Sequence, residues 1–203
     1  MNENHAKVCT SPEWAQYIQT AVLPALTKDI ELGDRMLEIG PGPGAATEWL
    51  YTRVSRLTAI EVDEAAAALL AARYAGQNVA IMTGSATALT YPSDSFDSVG
   101  CFTMLHHVPT IALQNKILAE ALRVLRPGGV LIGSDSLASS DLHHFHADDT
   151  YNPVDPGSLL SRLQTLGFGH ITVIVDDIVK FIAAKPADPP PADSQQSEDA
   201  GTA

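Results

Sequence analysis

Three glycines at alternate positions, Gly40, Gly42 and Gly44, separate a short apolar run, Arg35–Ile39, from a helical pattern that begins at Ala45. A turn so rich in glycine bends sharply and leaves main chain bare where a Cβ would otherwise stand. The helix N-terminus that follows adds free N–H groups. Strand, glycine turn and helix in this order bring a nucleotide-like ligand to the carboxyl end of a parallel sheet. An acidic residue for the ligand's ribose is then expected about 20 positions later. Glu61 stands there, at the end of a second β-rich run, Leu57–Glu61, with Asp63 two residues beyond. The spacing Gly40-x-Gly42-x-x-Ala45 also satisfies the dinucleotide fingerprint, so an NAD(P)-dependent oxidoreductase stays open at this point. A purely structural glycine turn is the plainer alternative.

The rest of the chain alternates in the same way. Helical patterns cover Ala45–Arg53, Glu64–Tyr74, Ile111–Leu125 and Gly157–Leu166. In the third of these, Ile111, Gln114, Ile117, Leu118, Ala121, Leu122 and Leu125 mostly trace one apolar face. It should stop at Arg126-Pro-Gly-Gly, where two kinds of helix breaker meet. Further β-rich runs are Val79–Thr83, Phe96–Phe102, Val130–Gly133, Ile171–Val175 and Ile178–Ala184. Short connections between alternating elements imply a Rossmann-like α/β three-layer sandwich around a mostly parallel seven-stranded sheet. The last two runs are separated only by Asp176-Asp177, too little for a crossover, so they should form an antiparallel hairpin. Ahead of the sheet, residues 1–34 read as a helical cap. In it Ser11 is an N-cap, Pro12 a first helical residue, and Pro24 a break. The main domain covers residues 35–185. Residues 186–203, rich in Pro and acid, have almost nothing to bury and read as a disordered tail.

At 203 residues the chain has room for one ordinary domain. Its formal net charge is −12, and residues 1–185 hold 20 acidic against 12 basic side chains. Nucleic-acid binding draws most of its affinity from Lys and Arg, so neither nucleic acid nor an anionic membrane is an expected partner. The opening residues show no basic and apolar signal pattern, and no run approaches membrane-spanning length, so a cytoplasmic location is expected. The two cysteines, Cys9 and Cys101, have no metal or disulfide spacing, and Cys101 reads as a buried core residue.

Beyond the loop, Met36-Leu-Glu-Ile-Gly-Pro-Gly-Pro-Gly44 resembles the first motif of class I S-adenosylmethionine-dependent methyltransferases, with Glu38 two before the first glycine. Thr58-Ala-Ile-Glu-Val-Asp63 is similar to the family's second motif. Gly84-Ser-Ala-Thr-Ala-Leu89 and Phe96–His107 look like its adenine-binding turn and fourth strand. Leu118–Val130, ending in Arg126-Pro-Gly-Gly, looks like the helix and turn before strand five. The resemblance covers about residues 35–185 and implies S-adenosylmethionine as cofactor and a small-molecule acceptor. It implies that Glu38 and the Gly40, Pro41, Gly42 and Gly44 main chain face the methionine end, with Thr103 also on the cofactor. It further implies that Glu61 binds the ribose hydroxyls, Val62 touches adenine, and Ser85 and Ala86 meet the adenine edge. Ser85 departs from the Asp common in that family. A hydroxyl accepts the same hydrogen bond more weakly.

Methyl transfer from a sulfonium is an in-line displacement in which alignment supplies much of the acceleration. A base is needed only for a protonated acceptor. Two histidine groups are candidates for it. His106 and His107 follow the fourth strand, and the segment Asp141–Tyr151 holds His143, His144 and His146. His106 and His146 are the expected catalytic or acceptor-orienting residues, with Tyr151 a further pocket residue. No metal site is expected, because the His- and Asp-rich segment Asp141–Tyr151 shows no clean i, i+4 pair or cysteine partner. His5 and Trp14 lie in the helical cap, where related enzymes carry a lid. A non-catalytic cofactor-binding module is the remaining alternative. The sequence leaves the oligomeric state open.

Overall fold

A computed structural model describes residues 3–147 and 149–188. At its centre are strands β1 (Arg35–Ile39), β2 (Arg56–Glu61), β3 (Val79–Thr83), β4 (Phe96–Phe102), β5 (Leu125–Ser136), β6 (Gly169–Val175) and β7 (Ile178–Ala184). They form one seven-stranded sheet in the order β3-β2-β1-β4-β5-β7-β6. The inner strands β1, β2 and β4 are buried on both faces and therefore read as apolar runs, while the edge strands β3 and β6 are partly exposed. The first five pair in parallel. β7 runs antiparallel to both β5 and β6, as the two-residue Asp176-Asp177 connection requires. Helices α5 (Glu64–Arg73), α6 (Ile111–Val124) and α8 (Pro156–Leu166) complete the alternation. Each starts on a side-chain cap, from Asp63, Thr110 and Asp155 respectively.

Two apolar clusters flank the sheet. One joins α6 and α8 to the sheet through Leu118, Leu159 and Phe181. The other is built by the cap, where Ile18, Val22, Leu23 and Leu26 bury against Met36 and Leu57. In the cap, α1 (Glu3–Cys9) precedes α2 (Pro12–Tyr17), and the Ser11 hydroxyl accepts from the Trp14 N–H as an N-cap. The expected break at Pro24 does not occur. A wide π turn over Ile18–Val22 runs directly into α3 (Leu23–Thr27), in whose first turn a proline needs no hydrogen bond.

Other expectations shift as well. The helix read over Ala45–Arg53 shrinks to α4 (Thr47–Leu50) between turns, because the Gly44 and Arg53 N–H groups bond only three residues back. The strand read over Val130–Gly133 extends back to Leu125 and so takes in Arg126-Pro-Gly-Gly. Gly128 donates to the Lys185 carbonyl and Gly129 accepts from the Lys185 N–H, which carries pairing past the end of β7. The Asp141–Tyr151 connection contains a short helix, α7 (Ser140–Phe145), capped by Ser139. Cys101 is buried as expected. From residue 189 onward the expected tail lies outside the described residues.

Candidate active site

β1 and β4 are neighbours although four elements separate them in sequence, so the crossovers turn back there. Open α/β sheets hold their ligands outside the strand ends at such a point. Here the carboxyl ends of β1, β2 and β4 open into a crevice of about 870 Å³, within the roughly 300–1,000 Å³ of small-molecule sites. The cap closes one side with Cys9, Thr10, Trp14 and Ile18. Trp14 therefore does two jobs, lining the crevice and packing against the cap's apolar cluster. Burial and the charge of Asp149 push the Cys9 thiol up to about 11, so it remains a thiol rather than a nucleophile.

One end of the crevice is made largely of main chain. Gly42 has φ +51° and nothing within 4 Å of where its Cβ would stand, so the loop faces the crevice bare. Gly40 and Pro41 line the same wall. Gly44 does not line it. At φ +89° its absent Cβ would come 2.8 Å from Leu70, so this glycine lets α5 pack close to the loop, and the expectation of a ligand contact there is replaced by a packing role. Glu61 ends β2 with both oxygens engaged. Oε2 accepts from the Gly42 N–H at 3.1 Å and Oε1 from the Asp63 N–H at 3.0 Å. A carboxylate has about four lone-pair sites, so two remain for a ligand diol.

Glu38 forms the floor, 1% exposed. Burial pushes its carboxyl up to about 7, the Thr47 hydroxyl donating to it at 2.7 Å pulls it down, and the nearby Glu61 charge pushes it up. Val62 leaves 74% of its surface exposed at the rim, an apolar shelf suited to a planar ring. Ser85 and Ala86 line the crevice opposite, and the Ser85 hydroxyl pairs with that of Thr87 at 2.9 Å. Thr103 also lines it. Its φ of +50° is a strained value for a branched side chain, held by its N–H donating to the Ser134 carbonyl at 2.7 Å.

The other end is made of imidazoles. Leu105–His107 form a single 3-10 turn after β4. The Asn152 N–H donates to the His106 carbonyl at 2.7 Å, and Gln114 Nε2 donates to the carbonyls of both Leu105 and Asn152 at 2.9 Å. Arg162 in turn donates to Gln114 Oε1 at 2.9 Å. This clamp holds the connection after α7 against the turn and brings His146 beside His106 and His107. The ring centroids lie 4.0 Å (His106–His107), 5.1 Å (His106–His146) and 5.5 Å (His107–His146) apart. Tyr151 stacks on His146 at 4.5 Å, and burial pushes its phenol up. His106 Nδ1 pairs with the fully buried Asp135 at 2.5 Å. His146 Nδ1 meets the Leu142 carbonyl at 2.7 Å.

His106 and His146, the two expected from sequence, are each 3% exposed and stand behind the crevice wall. His107, which sequence reasoning set aside, lines it. Asp135 was missed altogether. Its signal was an acid ending the apolar run Val130–Ser134, at the carboxyl edge of a buried strand.

Residues 37–133 match the methyltransferase domain family. A protein of Mycolicibacterium smegmatis, named a probable S-adenosylmethionine-dependent methyltransferase, is 30% identical over 67% of this chain and 52% of its own length. The 27-O-demethylrifamycin SV methyltransferase of Amycolatopsis mediterranei is 33% identical over 71% of this chain and 50% of its own. The chain thus spans about half the length of the curated relatives it matches. Among solved structures, the chain in complex with the Haloferax volcanii Trm112 methyltransferase activator shares the fold, with a TM-score of 0.72 over 92% of this chain and 99% of that one at 14% identity. A glycine loop facing an acid at the end of β2, a sheet whose last strand inserts antiparallel, and these matches converge: residues 37–133 carry a methyltransferase domain, and the chain is similar to class I S-adenosylmethionine-dependent methyltransferases.

Proposed function

We propose that the crevice binds S-adenosylmethionine and that this chain methylates a compact organic acceptor entering beside His107. The observation that carries the reading is Glu61, a nearly buried carboxylate facing the bare Gly40–Gly42 main chain across the strand ends. When bound, the cofactor supplies an activated methyl group on a cationic sulfur. Glu61 accepts hydrogen bonds from the ribose hydroxyls, Val62 and Ala86 flank the adenine, and Ser85 meets its edge. Thr103 contributes to the same wall. Glu38 and the glycine loop receive the amino-acid tail, where the crevice's acids attract its ammonium group.

At the acceptor end, alignment is the main requirement. His107 reaches the crevice directly. His106, braced by Asp135, and His146, stacked on Tyr151, are positioning residues that hold His107 and that wall in place. The narrow space between the cap and the strand ends favours a small acceptor. One relative is named 27-O-demethylrifamycin SV methyltransferase, which agrees with this class.

The test is calorimetry on the full chain with S-adenosylhomocysteine and, separately, NADPH. The first should bind and the second should not, and the reverse would establish the oxidoreductase alternative. Glu61→Ala should weaken S-adenosylhomocysteine by about 1–3 kcal/mol through loss of charge-assisted hydrogen bonds. Unchanged affinity in a folded variant would contradict the ribose assignment. Transfer of label from S-adenosylmethionine to fractionated metabolites then identifies the acceptor. Binding without transfer to any fraction favours the non-catalytic module.

A further inference from the structure

We infer that His106, His107 and His146 form a site for a divalent transition-metal ion of the zinc class. Their three ligand atoms lie within 4.8 Å of one another. A tetrahedral ion with bonds of about 2.0–2.1 Å holds its ligand nitrogens about 3.3 Å apart. Turning the rings inward by up to about 1.5 Å closes that gap.

The tautomers favour binding. Ligating imidazoles characteristically donate one ring N–H to a carboxylate or carbonyl, which frees the other nitrogen for the metal. Asp135 occupies that place for His106 Nδ1, and the Leu142 carbonyl does so for His146 Nδ1. Each ring would then ligate through Nε2. Asp135 is itself fixed, accepting the Ser136 N–H at 2.7 Å as well. Two of the three imidazoles are buried. A set of nitrogens without thiolates suits zinc, cobalt, nickel or copper better than calcium or magnesium.

Three protein ligands leave a tetrahedral ion one position, the arrangement of catalytic rather than structural sites. Because His107 lines the crevice, that position is accessible from the crevice side. Metal binding by itself does not depend on the methyltransferase reading. Where both hold, the ion anchors an oxygen or nitrogen of the acceptor, and that added role rests on the proposed function.

The experiment is a titration of chelator-treated full chain with Co²⁺, followed by visible absorption. One ion per chain with a tetrahedral absorption band is expected. The band should vanish in His107→Ala and in the His106→Ala/His146→Ala pair, and Asp135→Asn should weaken binding about 10–100-fold. His143→Ala, on the exposed side of α7, should leave it unchanged. No saturable band, or a band that survives in His107→Ala, overturns the site. His107 is partly exposed, so its variant keeps the fold, which circular dichroism verifies. S-adenosylhomocysteine calorimetry on the same samples separates the two readings. Binding of the nucleoside without cobalt removes only the metal site, and cobalt without the nucleoside removes only the methyltransferase.

Discussion

The two ends of the crevice are built on different principles. The proposed donor end is local: Glu38, the glycine loop and Glu61 lie within 24 consecutive positions. The proposed acceptor end is assembled from four separate places, the turn after β4, the end of β5, the end of α7 and the residues around Tyr151. It is held by a buried hydrogen-bond clamp rather than by a contiguous motif. A backbone site tolerates little change in conformation but much in neighbouring side chains. A side-chain site spread over long sequence separations depends on every tie that holds its pieces together.

The largest effect that would sharpen this contrast concerns Glu38. Its folded carboxyl is raised from 4.5 to about 7, so the folded state holds that proton more tightly than the unfolded chain. The resulting stabilisation is complete below about pH 4.5 and is lost as pH rises to about 7. Above that the ionised, buried group costs about 3 kcal/mol relative to its unfolded state. Glu38→Gln should therefore be more stable than the parent by up to about 3 kcal/mol at pH 8 and nearly equal to it at pH 4.5. Urea denaturation at the two pH values measures this, and a pH-independent difference would contradict it. The same variant should bind S-adenosylhomocysteine less tightly, so stability and ligand affinity move in opposite directions at the donor end.

Gln114→Ala is the matching change at the other end. It removes the donor to Leu105 and Asn152 and leaves the half-buried Arg162 without its Gln114 acceptor. Thermal or chemical denaturation should register a loss of about 1–3 kcal/mol. S-adenosylhomocysteine affinity should stay within twofold. An equal loss of nucleoside binding would show that the two ends are coupled and break the comparison.

A smaller effect is expected from Ser139→Ala, which deletes the N-cap of α7. Its cost should be about 1 kcal/mol. Hydrogen exchange should show it confined to α7 and the residues after it, with β1 and β2 unaffected. Faster exchange in the glycine loop would count against independent ends.

Legibility follows the same division. Glu61 could be found because an acid facing the glycine loop stands at the end of the next strand, a distance set by one strand–helix–strand unit. Gly44 was found for the wrong role, since only packing against Leu70 distinguishes a ligand glycine from a helix-approach glycine. His106 and His146 were chosen on residue type alone, 40 positions apart. Nothing in their spacing told that they adjoin, or that His107 rather than either of them reaches the crevice. Gln114 was visible as a polar residue on an otherwise apolar helix face, but its partners come from turns whose paths are not periodic. Pro24 misled for a related reason, and Arg126-Pro-Gly-Gly, where the helix does end, gave no sign that the strand already begins at Leu125. Breaker residues act through the hydrogen bonds they forgo, and whether those bonds are needed depends on position in a helix or on a neighbouring strand.

Amino-acid order alone determined the alternating strands and helices, the parallel core, the antiparallel last strands and the glycine-loop end of the crevice. All of these rest on interactions within one turn, one strand or one crossover, so their periods and spacings are written along the chain. Tertiary structure decided which histidines meet, that Asp135 braces them, and which of them faces the crevice. Those contacts join residues separated by long loops, and their geometry exists only once the sheet has brought the ends of β4 and β5 together beneath α7.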